Sequence, residues 1–376
     1  MRLETLAIHA GRQIDPTTGA VREPLHLSTT FERGEDGGYP RGFAYTRAGN
    51  PNRIALERAV TVLERGHDAI AFGSGSAATL AVFSLAAPGG RIVCGEDCYH
   101  GTAQQLREIV PHWGVDVEFV DTTRIEVVRA ALERKPTSLL WFETPTNPML
   151  QVSDIAALAE LAHAHGALVG CDNTFASPVL QLPLTLGADL AMHSTTKYLG
   201  GHSDVLGGMV VTREPGRALD ALRQYQAVGG GVPSPFDCWL VLRSLATLPL
   251  RVRQQAMNAL AVARFLHAER ERVERVHYAG LPDHPSHEVA LRQMVGGFGA
   301  VLSFEVPGGR ERAMAVAART KLFTRATSLG GVESLIEHRA SVEGPLSRTP
   351  QGLLRLSIGL EHAEDLIADL DQALGG

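Results

Sequence analysis

Hydrophobic and polar positions change rhythm near Pro51. Residues 11–50 are rich in Gly, Pro and polar side chains and keep no sustained period, so they read as an extended arm. Beyond Pro51, helical spacing over 54–64 gives way to a short apolar run at 69–72, which enters the turn Gly73-Ser74-Gly75-Ser76. Helical spacing returns over 77–86. Further short apolar runs follow at 91–94, 117–120, 139–142, 168–171 and 190–193, with helical stretches such as 155–165 separating several of them. Strands alternating with helices predict βαβ units, and hence an α/β fold whose mostly parallel sheet is covered on both faces. After Pro233-Ser234-Pro235 a long helical region is expected over 237–274, then a mixture of helices and strands that includes 300–306 and 353–358. The boundaries that follow are an arm at 1–50, a large domain at 51–235 and a smaller α+β domain at 236–376.

Composition narrows the functional classes. The chain has 376 residues, 44% of them hydrophobic, enough for one large domain and one smaller. A formal net charge of −6 argues against a nucleic-acid partner, which needs a clustered basic face. No apolar run approaches the roughly 20 residues of a membrane span, and residues 1–10 lack the apolar stretch of a secretory signal. The four cysteines are too few for a disulfide framework and suit a reducing cytoplasm. Cys94 and Cys98 would supply at most two of the four ligands zinc takes, so no metal is expected. His163 and His165, on a polar helix end, read as solvated; His193 and His202 read as packing or hydrogen-bonding groups.

Three lysines stand among the 35 basic residues: Lys135, Lys197 and Lys321. Codon bias accounts for the scarcity. A lysine that survives it still marks a place where arginine may fail, such as chemistry that needs a neutral amine. Lys197 stands in just such a setting. Glu143 follows Leu-Leu-Trp-Phe, Asp172 follows Val-Gly-Cys, and Ser194-Thr195-Thr196-Lys197 follows Leu-Ala-Met-His. Each lies at the carboxyl end of an expected strand, the edge where open parallel sheets bind ligands. Any one of them could be a helix cap; three together, with a rare lysine, favour a site. The Gly73–Ser76 turn, opening a helix, suits a phosphate, although it lacks the Gly-Lys-Ser/Thr ending of a P-loop.

The stretch Tyr45-Thr46-Arg47-Ala48-Gly49-Asn50-Pro51 resembles a signature of the Cys/Met-metabolism PLP enzymes, the family of the cystathionine synthases and lyases and of methionine γ-lyase. So do Glu143-Thr144-Pro145-Thr146-Asn147-Pro148, Asp172-Asn173-Thr174-Phe175 and the long block His193 to Asp204 around Lys197. Ser234-Pro235-Phe236-Asp237, Ser328-Leu329-Gly330-Gly331-Val332-Glu333-Ser334-Leu335 and Leu354-Arg355-Leu356-Ser357-Ile358-Gly359 continue the likeness in the family's order. The resemblance implies the fold of type I PLP enzymes and pyridoxal 5′-phosphate carried covalently on Lys197.

Further roles are implied by the same resemblance. Lys197 moves the Cα proton, a task open to a desolvated lysine and closed to arginine. Asp172 holds the pyridine nitrogen protonated. Ser194 and Thr196, with the backbone of Gly75 and Ser76, take the phosphate, and Tyr99 stacks on the ring and assists the leaving group. Tyr45 and Arg47 reach the phosphate of a neighbouring subunit, which implies a homotetramer built as a dimer of dimers. Arg355 clamps the α-carboxylate of a small amino-acid substrate, with Asn147 and Ser328 beside it.

Departures from the family pattern gather where the substrate side chain binds. Thr327 stands where γ-synthases and γ-lyases usually carry a glutamate. His100 replaces a glycine after Tyr99, and Gln104 replaces an arginine often found there. The run Arg339-Ala340-Ser341-Val342-Glu343-Gly344 replaces a His-containing one, and Glu343 is a candidate substitute for the missing carboxylate. The leading expectation is γ-elimination or γ-replacement on cystathionine or an activated homoserine. The alternatives are β-elimination on cystathionine or cysteine, methionine γ-lysis, aminotransfer on the same fold, or a silent PLP-binding protein.

Overall fold

The computed structural model describes residues 1–343 and 349–375. Among the described residues, twelve strands form two sheets. The first contains β1 (Asp68–Phe72), β2 (Arg91–Gly95), β3 (Asp116–Val120), β4 (Leu139–Glu143), β5 (Leu168–Asp172), β6 (Leu190–Ser194) and β7 (Gly208–Thr212). Their order across the sheet is β1-β7-β6-β5-β4-β2-β3. Six of these seven strands coincide with expected apolar runs to within a residue or two. The seventh, β7, is an addition to the sequence reading. It runs antiparallel to both β1 and β6, while the remaining pairs are parallel.

Alternate residues of these strands feed two different layers. Ile70, Phe72, Ile92, Cys94, Trp141 and Met192 pack on one face with Ala78, Val82 and Phe83 of the helix Gly75–Phe83. On the opposite face, Val93, Leu140, Phe142, Val169 and Cys171 meet the helices Ile125–Arg134 and Ile155–Ala164. Burial on both sides is why these strands read as unbroken apolar runs rather than alternating ones.

The second sheet holds β8 (Arg275–His277), β9 (Val301–Glu305), β10 (Thr324–Arg325), β11 (Leu335–His338) and β12 (Leu353–Ser357), in the order β10-β11-β12-β9-β8. All its pairings are antiparallel except β10 with β11. The long helix expected over 237–274 is two helices, Pro235–Leu245 and Leu248–Ala268. Pro249 falls in the first turn of the second helix, where its missing N–H costs no internal bond. Before the irregular stretch, a short helix Leu3–His9 packs back on the core through Ala7. The stretch itself is tied down by Asn52, whose amide bonds the Pro24 carbonyl and the His26 N–H. Trp239 adds a bond to the Glu23 carbonyl.

Candidate active site

A cavity of about 370 Å³ opens at the carboxyl ends of β4, β5 and β6. Its walls bring together Gly75, Ser76, Tyr99, Asn147, Asp172, Ser194, Thr196, Lys197, Ser328 and Arg355, all expected from the sequence. Glu143 lines it too and lies directly opposite Asp172 in the parallel register of β4 and β5. Tyr45 and Arg47 are not among its lining residues in their own chain. The Arg47 guanidinium lies 5.7 Å from the Tyr45 ring and donates to the Ala227 carbonyl.

Lys197 follows β6 directly, so the sheet fixes where its side chain starts. Its Nζ donates to Ser328 Oγ at 3.0 Å. Burial, reinforced by the Arg355 charge, lowers its pKa to about 8. Ser328 holds φ at 106°, a region that favours glycine, and such conformations concentrate at functional sites. Two residues on, Gly330 has φ of +78°, and a Cβ there would lie 2.7 Å from the Tyr198 backbone nitrogen. Gly330 therefore lets the 328–331 loop press against the lysine's own backbone.

Asp172 is buried, and burial raises its pKa, opposed by bonds from Thr174. The Thr174 N–H donates to Asp172 Oδ1 at 3.0 Å, while its hydroxyl accepts from the Ser194 N–H at 2.9 Å. Glu143 is raised as well, chiefly by burial and then by the Asp172 charge. It accepts the Tyr99 N–H at 2.7 Å, which sets the start of the helix His100–Glu108.

At the other end of the cavity the helix Gly75–Phe83 begins. The Ser74 hydroxyl caps the Ala77 N–H at 3.0 Å, leaving the N–H groups of Gly75 and Ser76 at a positive helix end. A Cβ on Gly75 would lie 2.9 Å from Ser194 Cβ, so glycine keeps this corner open. The Thr196 hydroxyl exchanges bonds with the backbone of Gly207.

Arg355 enters from β12. Its Nη1 donates to Asn147 Oδ1 at 2.9 Å, and its Nη2 donates to the Ser328 carbonyl at 3.1 Å and to Glu337. Glu337 faces Arg355 in the register of β11 and β12. Burial lowers the Arg355 pKa to about 10. Sequence reasoning missed Glu337, and reached Arg339 only as the start of a departing run. The available signal was a charged pair at the end of the apolar run Leu335-Ile336.

Of the departures, Thr327 and His100 line the cavity and Gln104 does not; Gln104 bonds Glu108 on its own helix. Glu343 accepts Arg339 Nε and the Thr349 hydroxyl, so it is engaged rather than waiting for a substrate ammonium. Gly344, the end of that departing run, lies outside the described residues. His163 is not simply solvated: its Nε2 bonds Asp189 at 2.8 Å. His193 pairs with Glu64 in the core, and His202 bonds the Gly200 carbonyl. Among the described residues no group of three or more His, Cys, Asp or Glu is placed to hold a metal ion. No helix among them is long and apolar enough to cross a membrane.

A low-pKa lysine, a buried carboxylate at the next strand end and an open helix N-terminus are what PLP requires of its amine partner, ring partner and phosphate partner. Residues 4–375 match the family described as Cys/Met metabolism PLP-dependent enzyme. The chain belongs to this family. It is therefore a PLP-dependent enzyme. It is 48% identical to the cystathionine gamma-synthase of Mycobacterium tuberculosis, over 99% of this chain and 96% of that protein. It is 44% identical to the cystathionine gamma-lyase of Homo sapiens, over 98% of this chain and 93% of that protein. The crystal structure of metB from Corynebacterium glutamicum superposes with a TM-score of 0.95 at 44% identity, covering 100% of this chain and 98% of that one.

Proposed function

We propose that this enzyme catalyses γ-elimination or γ-replacement on cystathionine or an activated homoserine. The observation that carries this is the pairing of one partly desolvated amine with one buried guanidinium across a single cavity. Lys197 Nζ and Arg355 Nη2 meet through the same residue, Ser328, at 3.0 and 3.1 Å. An amino acid whose carboxylate sits on Arg355 has its Cα within the reach of Lys197. Full-length likeness to proteins named for the synthase and lyase reactions supports the γ-carbon as the reacting centre.

PLP, when bound, supplies the electron sink that lets a proton leave the α-carbon of an amino acid. The chain's own residues do the rest. Asp172 holds the pyridine nitrogen protonated. Gly75 and Ser76, with Ser194 and Thr196, hold the phosphate. Lys197 Nζ takes the Cα proton, gives it up, and as a neutral amine again takes a Cβ proton, so that the group on Cγ can leave. Asn147 and Glu337 fix the Arg355 fork, and Tyr99 closes the mouth beside the leaving group.

Within this reading the chain works as a homotetramer, with an arm at 1–50, a PLP-binding domain at 51–235 and a C-terminal domain at 236–376. Tyr45 and Arg47 then complete the phosphate site of a neighbouring subunit. Their position supports this: Tyr45 is 46% and Val228 76% exposed, and Arg47 is anchored between them on the Ala227 carbonyl. The cytoplasm is the compartment this reading assigns.

A product assay tests the reaction. The purified holoenzyme is expected to release 2-oxobutanoate from cystathionine, or to join cysteine to an acylated homoserine. Pyruvate as the main keto acid, or turnover of neither substrate, would overturn the assignment.

A further inference from the structure

Arg251 differs from the other buried cations of this chain. Arg91, Arg339 and Arg355 are as deeply buried, and each pairs with a glutamate. Among the described residues Arg251 pairs with no carboxylate, and burial lowers its pKa to about 10. Its donors go to chain ends and hydroxyls instead. Nη1 donates to the Tyr198 carbonyl at 2.9 Å. Nη2 donates to the Ser244 carbonyl at 3.2 Å and to its hydroxyl at 3.1 Å, and Nε to the Thr247 hydroxyl at 3.2 Å. Tyr198 is the residue after Lys197. We propose that Arg251 is a positioning residue for Lys197, fixing the turn that carries the lysine so that its amine meets the aldehyde of PLP. This rests on the reading of Lys197 as the amine that carries the cofactor.

The surroundings explain how a guanidinium is tolerated there. Ser244 lies in the last turn of the helix Pro235–Leu245, whose carbonyl end is negative. Arg251 lies in the first turn of the next helix, Leu248–Ala268. The break between these two helices therefore faces the lysine's turn. Arg251 takes the Tyr198 carbonyl, and the Ser244 hydroxyl takes the Gly200 carbonyl. The Lys197 carbonyl accepts the Gly201 N–H at 2.7 Å. A Cβ on Gly201 would overlap the guanidinium, so the turn and the arginine are fitted to each other.

The Tyr198 backbone is held at both ends. Gly330 packs against its nitrogen, and Arg251 bonds its oxygen. The lysine side chain is long and flexible, so its direction is set by this fixed root and by the Ser328 bond at its tip. Capture of the cofactor joins Nζ to the aldehyde carbon with loss of water. A reacting atom displaced by about 1 Å costs about 100-fold in rate.

The test separates covalent capture from cofactor fit. Full-length apoprotein is mixed with PLP and the rate of imine absorbance is followed. Its affinity for pyridoxamine 5′-phosphate, which has an amine in place of the aldehyde and cannot bond to a lysine, is measured by titration. Arg251→Met is expected to slow capture about 10- to 100-fold while affinity for the analogue stays within about 3-fold. Arg251→Lys, which keeps the charge and loses the fork, is expected to fall between Met and the native enzyme. Val262→Ala, a buried truncation in the same helix, is expected to lower the melting temperature and leave both readings unchanged. Capture at the native rate in Arg251→Met, or an analogue affinity that falls in step with the rate, would mean at most a structural role and overturn the proposal. Should Arg251→Met not fold, Arg251→Lys decides by the same two readings. Lys197→Ala keeps the two claims apart. If it still captures PLP, the reading of Lys197 fails and this proposal with it; if it captures none while Arg251→Met is native-like, the proposal alone fails.

Discussion

Lys197 Nζ donates a 3.0 Å hydrogen bond to Ser328 Oγ, joining the turn after β6 of the first sheet to the loop between β10 and β11 of the second. The Lys197 amine is thereby held by both halves of the chain. Ser328 does this from a backbone conformation that costs of the order of 1–3 kcal/mol.

Gly330→Ala tests how far the amine depends on that loop. The added Cβ would lie 2.7 Å from the Tyr198 nitrogen at a positive φ. We expect a stability loss of about 1–3 kcal/mol in denaturant unfolding, together with a larger fall in kcat than in cofactor occupancy. An enzyme unaffected in both respects would show that the loop does not press on the lysine.

The lowered pKa of Lys197 carries a pH signature. An ordinary lysine holds its proton to about 10.4, whereas here burial brings the value to about 8. The rate at which apoprotein takes up PLP should therefore rise through pH 8 and level off above it. Between pH 8 and the ordinary lysine range the unfolded chain binds more protons than the native one, so the lysine's contribution makes the apoprotein more stable as pH rises there. Uptake still climbing steadily past pH 9.5 would contradict this environment for Lys197.

Asp172→Asn replaces a buried anion with a neutral group of the same shape. Thr174 can still cap it, so the fold should survive. We expect kcat to fall about 100-fold or more, with weaker retention of PLP on dialysis. Near-normal turnover would remove Asp172 from the role of ring partner.

Arg355→Lys keeps the charge and loses the fork. Asn147, Glu337 and the Ser328 carbonyl are arranged around two nitrogens of one planar group. A rise in KM of about 10- to 100-fold, with a smaller change in kcat, is expected. An unchanged KM would move the carboxylate site elsewhere.

The first sheet was legible because its strands are buried on both faces and so appear as short apolar runs ended by a polar residue. Glu143, Asp172 and Ser194 are those endings, and the edge they share is where the cavity lies. What escaped reading depends on pairings far apart in sequence. The strand Gly208–Thr212 gives no local sign that it inserts antiparallel between two others. Glu337 joins the site only because β11 and β12 align it with Arg355, a register that spacing along the chain does not reveal. The break between the helices Pro235–Leu245 and Leu248–Ala268 was visible in Pro249, yet the surrounding helical period masked it.

The most direct test replaces the amine itself. Purified Lys197→Ala, reconstituted with PLP and dialysed, should lose the visible absorbance of covalently held cofactor and all turnover of sulfur amino acids while keeping the native circular dichroism. A variant that kept both the absorbance and the turnover would show that the cofactor is carried by another group.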